Sequence, residues 1–315
     1  MQILIIQTAY IGDVVLATPL IEKLYEHFQS PKIDFVLRKG NESLFENHPK
    51  LNKTISWDKR HRKWRALFRI IRDVRRNKYD LVINVHRFWS TGFLTALSGG
   101  EQKIGFKANP LSVFYDTVVD HKFDGRHEVD RNLELISGIT DNTKVRPKLY
   151  VDDQSILKYQ KVPYITISPG STWATKQLPA YKWVELIHSI NDHVFLLGGK
   201  EDIALCNQIR VRSNCDSVTV LAGALTMLES CALMRGAMMN YVNDSAPLHF
   251  ASAVNAPVTA IFCSTIPEFG FGPLSDNSFI VQSSENLSCR PCGLHGKKQC
   301  PAGHFKCGHE VILVD

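Results

Sequence analysis

Short apolar runs alternate with helical stretches along the 315-residue chain, and this alternation constrains the fold more than any other feature. The spacing of apolar residues predicts helices over residues 14–28, 64–78 and 181–190. Apolar β-rich runs predict strands at residues 3–6, 33–37, 81–85, 164–168, 194–197, 218–221, 238–242 and 258–262. Strands that alternate with helices indicate parallel sheets covered by helices on both faces, so we expect an α/β protein.

The alternation starts again after residue 150, which indicates two domains of the same kind. A polar stretch over residues 151–163 lies at the junction. We therefore expect two Rossmann-like domains, at residues 1–155 and 156–315. Open sheets of this kind bind ligands at the carboxyl ends of their strands. The candidate ligand-binding loops are therefore the polar loops that follow Ile6, Ser168, Leu197 and Val242.

Composition excludes several classes of protein. Hydrophobic residues make up 44% and charged residues 22% of the chain, which is typical of globular proteins rather than disordered, collagenous or coiled-coil ones. No apolar run reaches the roughly 18 residues that a membrane span needs. Asp13 interrupts the apolar beginning and no basic segment precedes it, so we expect no signal peptide. The expected location is the cytoplasm, where the eight cysteines would be mostly thiols.

Positive charge is concentrated in the first half. Residues 1–150 contain 25 Lys and Arg against 17 Asp and Glu, and ten of the twenty residues at 59–78 are basic. The apolar stripe of this segment consists of Trp64, Leu67, Phe68, Ile71 and Val74. Two interpretations remain open. The segment is a helix packed on the sheet with a solvated basic face, or it meets an anionic membrane surface or the phosphates and acidic sugars of a lipid-linked acceptor.

The first loop brings Gly12 and Asp13 to the start of a helix. Gly12 permits a tight turn from strand to helix. Asp13 is either an N-cap, or a carboxylate that acts as general base and takes the proton from an attacking substrate hydroxyl. Spacing alone leaves both roles open.

The second and third loops contain groups suited to a nucleotide. Ser171 and Thr172 offer hydroxyls, and Lys176 adds a positive charge, which together suit a diphosphate. The glycine pair at 198–199 allows close approach of a ligand, and Glu201 can accept hydrogen bonds from a ribose or base. Ordinary capped loops are the alternative for both.

The fourth loop opens a predicted helix. Ser245 and Ala246 would lie at its N-terminus, where backbone N–H groups and the helix dipole favour a phosphate. Asp244 precedes them, and His249 follows about one turn later. A histidine in this position is alternatively a buried core residue.

Four cysteines lie within nineteen residues near the end of the chain, at Cys289, Cys292, Cys300 and Cys307. A CxxC pair followed by two further thiols can form a tetrahedral structural zinc site. Free thiols, disulfides and an iron–sulfur cluster are the alternatives.

Together, these segments resemble glycosyltransferase family 9, the bacterial lipopolysaccharide heptosyltransferases. The resemblance is carried by residues 3–20 (ILIIQTAYIGDVVLATPL), 168–176 (SPGSTWATK), 196–202 (LLGGKED) and 223–257, which contain NDSAPLHFASAVNAP. It implies a GT-B architecture, in which two Rossmann-like domains face each other across a cleft. The N-terminal domain would bind the acceptor and the C-terminal domain the nucleotide-sugar donor.

The resemblance also implies residue roles. Asp13 matches the catalytic base, and Lys176 would stabilise the leaving diphosphate. Donor contacts are implied for Ser171, Thr172, Lys176, Glu201, Asp244, Ser245, Ala246 and His249. Ala246 stands where the family usually has glycine, and Gln7 stands where many members have a basic residue.

The implied activity is inverting transfer of a sugar, with heptose from ADP-heptose as the expected donor, onto a lipopolysaccharide core or related cell-envelope glycolipid. No paired-carboxylate motif occurs in a donor loop, so we expect no obligatory catalytic metal. The expected acceptor is a lipid-linked or acidic glycan, met peripherally at the cytoplasmic face of the inner membrane. The alternatives are the same fold with another nucleotide-sugar donor, or a non-catalytic protein that binds nucleic acid or an anionic surface. No nucleic-acid-binding motif is present, so we expect no nucleic-acid partner.

Overall fold

A computed structural model describes residues 1–46, 48–59, 63–283 and 285–313 of the chain. It divides into two compact units, Met1–Tyr150 and Val151–Asp315. Each unit contains a six-stranded parallel sheet with helices between its strands. Parallel sheets are buried on both faces, which is why their central strands are continuous apolar runs.

The first unit has the sheet order β3-β2-β1-β4-β5-β6. Its strands are β1 Gln2–Ile6, β2 Lys32–Arg38, β3 Lys53–Trp57, β4 Leu81–Asn84, β5 Gln102–Phe106 and β6 Thr117–Val119. Its α-helices are α1 Ile11–Leu16, α2 Thr18–His27, α3 Lys63–Asn77, α4 Trp89–Ala96 and α5 Glu128–Glu134. The order of strands changes direction between β1 and β4. We call this place the first switch point, and such places are where open α/β sheets bind ligands.

The second unit repeats this order as β12-β11-β10-β7-β8-β9. Its strands are β7 Tyr164–Ser168, β8 His193–Leu196, β9 Val218–Val220, β10 Asn240–Asn243, β11 Val258–Phe262 and β12 Ser278–Gln282. Its α-helices are α6 Ala180–His188, α7 Ile203–Ser213, α8 Met227–Arg235, α9 Ala246–Ala253 and α10 Lys306–His309. The second switch point lies between β7 and β10, where Ser168 is paired with Val242.

The sequence prediction of an α/β protein with two Rossmann-like units is confirmed. The predicted single helix over residues 14–28 is wrong, because α1 and α2 meet at Ala17. Pro19 has no N–H to donate to the Val15 carbonyl, and the Thr18 hydroxyl donates to that oxygen instead, at 2.7 Å. The pattern also missed β3, β5, β6 and β12. Most of these strands are partly exposed and therefore lack a continuous apolar run.

The basic segment is helical over α3, and residues 60–62 of the predicted segment lie outside the described residues. Leu67, Ile71 and Val74 are buried in the core of the first unit. Trp64 and Phe68 are exposed, so only part of the expected apolar stripe packs on the sheet. The packing of this helix on the sheet is confirmed, with one buried face and one exposed face that is both basic and aromatic, whereas contact with an anionic surface or acceptor stays a prediction.

Candidate active site

Asp13 reaches the first switch point because α1 begins five residues after β1 ends. It is the third residue of α1, and its Oδ2 atom accepts a hydrogen bond from the Tyr10 backbone N–H at 3.1 Å. Tyr10, rather than Asp13, is the N-cap of this helix. Asp13 therefore helps to fix the start of the helix, and this contact uses one of its two carboxylate oxygens.

The environment of Asp13 makes its carboxyl group more basic than usual. Burial, followed by the negative charge of Glu128, raises the pKa of Asp13 to about 6, against the opposing effects of the Tyr10 N–H and the charge of Arg87. Asp13 forms no ion pair with any side chain in the described ranges. Such a group is ionised at neutral pH and still accepts a proton readily, which is the property required of a general base.

Glu128 is held in its charged form by a network at the start of α5. His121 Nε2 lies 3.0 Å from Glu128 Oε2, and Arg131 Nε donates to the same oxygen at 2.8 Å. Although burial acts in the opposite direction, these two partners hold the pKa of Glu128 below its usual range. Arg87 lies 3.1 Å from His121 Nδ1, so the histidine donates through Nε2. The charge that raises the pKa of Asp13 is thus itself stabilised.

Two cations and a neutral histidine lie at the same edge of the sheet. Lys59 Nζ donates to Thr8 Oγ1 at 2.7 Å, and that oxygen lies 3.3 Å from His86 Nδ1. Burial, with smaller effects from Lys59 and Arg87, lowers the pKa of His86 to about 3, so His86 is neutral. The sequence analysis included Lys59 only as part of the basic segment, and it missed His86 and Arg87. His86 and Arg87 follow a predicted strand, and inspecting that loop too would have found them.

The second switch point holds a buried ion pair. Lys176 ends a 3₁₀ turn, Ala174–Lys176, in the loop after β7, and Asp244 directly follows β10. Lys176 Nζ lies 2.7 Å from Asp244 Oδ2, with side-chain exposures of 14% and 7%. The Thr265 hydroxyl donates to the same oxygen at 2.6 Å. The structure thus brings together two residues that the sequence had placed only in separate loops.

Helix α9 begins at Ala246, as predicted, but its first turn offers few donors. Ser245 is the N-cap, and its hydroxyl donates to the Gly170 carbonyl at 3.3 Å rather than capping the helix. Pro247 has no N–H, and the Leu248 N–H donates to Ser245 O at 3.0 Å. A phosphate at this helix start would therefore depend on side chains more than on backbone N–H groups.

The other predicted donor residues differ in exposure. Thr172 and Glu201 are exposed, Ser171 is half-buried, and its hydroxyl accepts from the Trp173 N–H at 3.4 Å. His249 is buried, as the core alternative expected. Glu201 lies in the 3₁₀ turn Lys200–Asp202 after β8.

Several residues that hold these loops together were missed by the sequence analysis. Asn243 Nδ2 donates to Pro169 O at 2.7 Å, and its Oδ1 accepts from Leu178 N–H at 3.1 Å. Asp202 accepts from the Gly199 N–H at 2.9 Å and lies so close to Gly170 that a side chain there would clash. These contacts tie the loops after β7, β8 and β10 into one unit.

The cysteine-rich tail brings its thiols near one another. All eight cysteines are described, and each is a free thiol. Burial, followed by the charges of neighbouring cysteines, raises the pKa of Cys292, and the same causes raise the pKa of Cys307 to about 11. Cys289 Sγ lies 3.9 Å from His304 Nε2. Over the ranges that the structure describes, no group of three or more His, Cys, Asp or Glu side chains is arranged to hold a metal ion.

None of the helices in the described ranges is both long and apolar enough to cross a bilayer.

Two Rossmann-like units, with a basic carboxylate at one switch point and a lysine with hydroxyls at the other, are the features expected of a transferase of the GT-B type. The chain belongs to glycosyltransferase family 9: the family described as "Glycosyltransferase family 9 (heptosyltransferase)" matches residues 67–305. The resemblance, the GT-B fold and the glycosyltransferase class predicted from the sequence are thereby confirmed, over the non-catalytic alternative.

Individual relatives agree with this membership. "Lipopolysaccharide heptosyltransferase 3" of Escherichia coli is 28% identical over 289 residues, which cover 84% of each chain. The solved structure of E. coli ADP-heptose lps heptosyltransferase II has a TM-score of 0.78 at 21% identity and covers 90% of each chain. That of E. coli heptosyltransferase WaaC with ADP-2-deoxy-2-fluoro heptose has a TM-score of 0.74 at 20% identity, covering 90% of this chain and 93% of that one. The two solved structures show that the fold is shared.

Proposed function

We propose that this protein transfers heptose from ADP-heptose onto a lipopolysaccharide core or a related cell-envelope glycolipid, with inversion at the anomeric carbon. The observation that carries the proposal is Asp13, a carboxyl at the first switch point whose pKa is raised to about 6, in a chain of glycosyltransferase family 9. The names of its relatives, and the donor analogue in one solved structure, support the choice of sugar and nucleotide.

In this mechanism Asp13 takes the proton from an acceptor hydroxyl as its oxygen attacks the anomeric carbon. The bond between that carbon and the ADP oxygen breaks, and ADP leaves with the bonding electron pair. The transition state resembles an oxocarbenium ion, as in glycoside chemistry in general. Asp13 holds the proton after transfer because burial and Glu128 favour its protonated form.

The second unit supplies the groups for the donor. The Lys176 ammonium stabilises the negative charge that develops on the leaving diphosphate. Asp244, which also accepts from the Thr265 hydroxyl, holds this ammonium in place. Besides Lys176 and Asp244, the proposed contacts of the donor phosphates are Ser171, Thr172, Ser245 and Ala246. Glu201 is the proposed contact of the nucleoside. The buried His249 is proposed to support the donor-binding start of α9.

The first unit, which contains the excess of positive charge, is proposed to bind the acceptor. Lys59 and Arg87 lie at the same edge of the sheet as Asp13 and suit the carboxylates or phosphates of an acidic glycan. A lipid-linked acceptor would place the enzyme peripherally at the cytoplasmic face of the inner membrane.

For the tail we propose a structural zinc ion bound by Cys289, Cys292, Cys300 and Cys307, with no part in transfer. The proposal rests on their spacing alone, since no three potential ligands are grouped for a metal ion among the described residues. Metal analysis of the purified protein tests it, with a Cys289→Ser, Cys292→Ser variant as the control. Absence of stoichiometric zinc in the unaltered protein would contradict it.

The donor is tested by thermal shift with ADP, GDP, UDP and ADP-heptose. A ligand at a hundred times its Kd stabilises the fold by about 2.7 kcal/mol, so a specific donor should stand out. We expect a response to ADP and ADP-heptose, followed by heptose transfer to a truncated lipopolysaccharide in a mass-shift assay. A response to UDP or GDP alone would assign another donor, and no response to any nucleotide would contradict the proposal.

A further inference from the structure

Ring contacts join four aromatic side chains of α3 and α4, and a fifth, exposed ring lies at the N-cap of α4; we call these five the aromatic patch: Trp64, Phe68, Phe88, Trp89 and Phe93. Ring centroids are 5.3 Å apart for Trp64 and Trp89, 5.8 Å for Trp89 and Phe93, and 6.2 Å for Phe68 and Phe93. Four of these side chains are 45–68% exposed. Single exposed apolar residues are common on proteins, but a contiguous aromatic surface of this kind marks a site of interaction.

The aromatic patch lies beside the first switch point. Helix α4 begins five residues after the end of β4, at the carboxyl edge of the sheet. The contact between Trp64 and Trp89 places the start of α3 beside the start of α4. The Phe88 ring lies 4.7 Å from the ring of His86, which is itself at this edge of the sheet. The patch is therefore on the side of the unit that carries Asp13.

Exposed arginines flank the patch on the same helix. Arg65 and Arg69 alternate with Trp64 and Phe68, and all four side chains are exposed. Further exposed basic residues follow on α3 at Arg72, Arg75 and Arg76. Asp73 is the only acidic residue in this helix, and it lies 3.6 Å from Arg72 Nε. The surface thus combines aromatic rings with a strong excess of positive charge.

We propose that the aromatic patch and the α3 arginines dock the first unit onto an anionic bilayer, with the aromatic rings at the level of the lipid headgroups. Charge complementarity selects this partner. Arginines are attracted to anionic lipid, and tryptophan and other amphipathic rings favour the membrane interface. The inference deepens the proposed function, since docking would bring the edge carrying Asp13 towards the sugars of a lipid-linked acceptor.

Co-sedimentation of the full chain with vesicles tests the docking. Vesicles of phosphatidylcholine are compared with vesicles in which about one third of the lipid is phosphatidylglycerol. We expect binding to the anionic vesicles, weakened by salt, and little binding to phosphatidylcholine alone. Equal binding to both kinds of vesicle, or to neither, would overturn the inference.

Matched variants separate the two components of the surface. Phe88→Ser with Trp89→Ser should weaken binding about tenfold because less apolar area enters the interface. Phe279→Ser with Ile280→Ser, which removes comparably exposed apolar residues from β12, should leave binding unchanged. Unchanged binding in the α4 variant would overturn the role of the aromatic patch.

The charge variants follow the same design. Arg65→Gln with Arg69→Gln should weaken binding roughly 25-fold, about fivefold for each arginine. Arg210→Gln with Arg212→Gln on α7 is the control and should bind as the unaltered protein does. The membrane assignment would be overturned if the unaltered protein bound RNA or DNA but no vesicles, and if the α3 variant lost that nucleic-acid binding.

Activity then distinguishes this inference from the proposed function. With a water-soluble acceptor lacking lipid, the α4 variant should transfer heptose as fast as the unaltered protein, whereas with acceptor embedded in anionic vesicles it should be about tenfold slower at low enzyme concentration. Transfer without vesicle binding would overturn the docking alone. Vesicle binding without transfer to either acceptor would contradict the proposed function alone.

Discussion

The two switch points occupy equivalent places in sheets of the same strand order, yet a carboxylate meets opposite surroundings at each. Asp13, at the first, lies near the anionic Glu128 and forms no ion pair within the described part of the chain, and burial raises its pKa to about 6. Asp244, at the second, lies 2.7 Å from the Lys176 ammonium and accepts a further hydrogen bond from Thr265.

This difference separates proton transfer from charge binding. A carboxyl group serves as a base when its pKa is near the working pH, which requires burial or a like charge nearby. A carboxylate paired with a buried lysine instead fixes the position of the cation, and removing either partner leaves the other uncompensated. The fold thus supplies one kind of location, and the neighbouring side chains decide which chemistry occurs there.

The largest effect is expected for Asp13→Asn. The amide oxygen can still accept the Tyr10 N–H, so α1 should form, but the base is gone. We expect kcat to fall about 10³-fold with ADP binding unchanged. Steady-state kinetics and ADP titration measure the two quantities, with Asp116→Asn, an exposed acid of the same unit, as the control. Normal turnover in Asp13→Asn would contradict the assignment of the base.

The next effect concerns the ion pair. Lys176→Met should weaken ADP binding about tenfold to a hundredfold, since a contact to a charged group contributes about 1.5–3 kcal/mol. It should also destabilise the fold by about 3 kcal/mol because Asp244 is left buried without its cation. The double variant with Asp244→Asn should recover most of the stability and none of the affinity. Recovery of ADP binding in the double variant would show that Lys176 does not meet the diphosphate.

A third effect follows from the raised pKa of Asp13. A raised carboxyl pKa stabilises the folded state below the unfolded pKa, and this stability is lost as the pH rises through about 6. Asp13→Asn cannot ionise, so it should be more stable than the unaltered protein at pH 8. Since the residue is half-buried, the difference should be below about 3 kcal/mol at pH 8, and it should fall below about 1 kcal/mol near pH 4. Urea unfolding at both pH values measures it, and a difference independent of pH would contradict the pKa argument.

The sequence predicted the position of each site more successfully than it predicted which side chains contact one another there. Looking for polar residues after predicted strands found Asp13, Lys176 and Asp244, because ligand sites of open sheets lie at strand ends. That Lys176 contacts Asp244 could not be predicted, because it depends on β7 and β10 being adjacent in the sheet.

Glu128 and His121 were out of reach for a different reason. They follow β6, a three-residue edge strand with no buried residue and therefore no apolar run to reveal it. The charge that tunes Asp13 comes from this unpredicted part of the chain. The sequence thus predicted the residue that performs the chemistry, but not the residues that set its pKa.

A smaller effect is expected for Glu128→Gln. This change removes a negative charge near Asp13 and so reduces the contrast with Asp244, which lies beside a cation. Removing the negative charge should lower the pKa of Asp13, so the acid limb of kcat/KM should move to lower pH by about half a unit. Glu134→Gln, a half-buried acid at the end of the same helix that pairs with Arg126, is the control. The profile should be recorded well below the unfolding temperature, because Arg131 loses the carboxylate that accepts from its Nε atom. An acid limb at the same pH as in the control would show that Glu128 does not tune Asp13.

The smallest effect is expected at Ala246, the first residue of α9. It tests whether the donor phosphates at the second switch point lie against the start of this helix. If the diphosphate lies against this helix start, Ala246→Gly gives it the space of a methyl group, and ADP should bind about two- to threefold more tightly, which is below about 1 kcal/mol. Glycine should cost at most about 1 kcal/mol of stability through its greater freedom in the unfolded chain. Ala253→Gly, at the other end of α9, should share the loss of stability without the gain in affinity. Calorimetric titration with ADP compares the three proteins, and equal affinities would place the phosphates away from Ala246, at Lys176 and the hydroxyls alone.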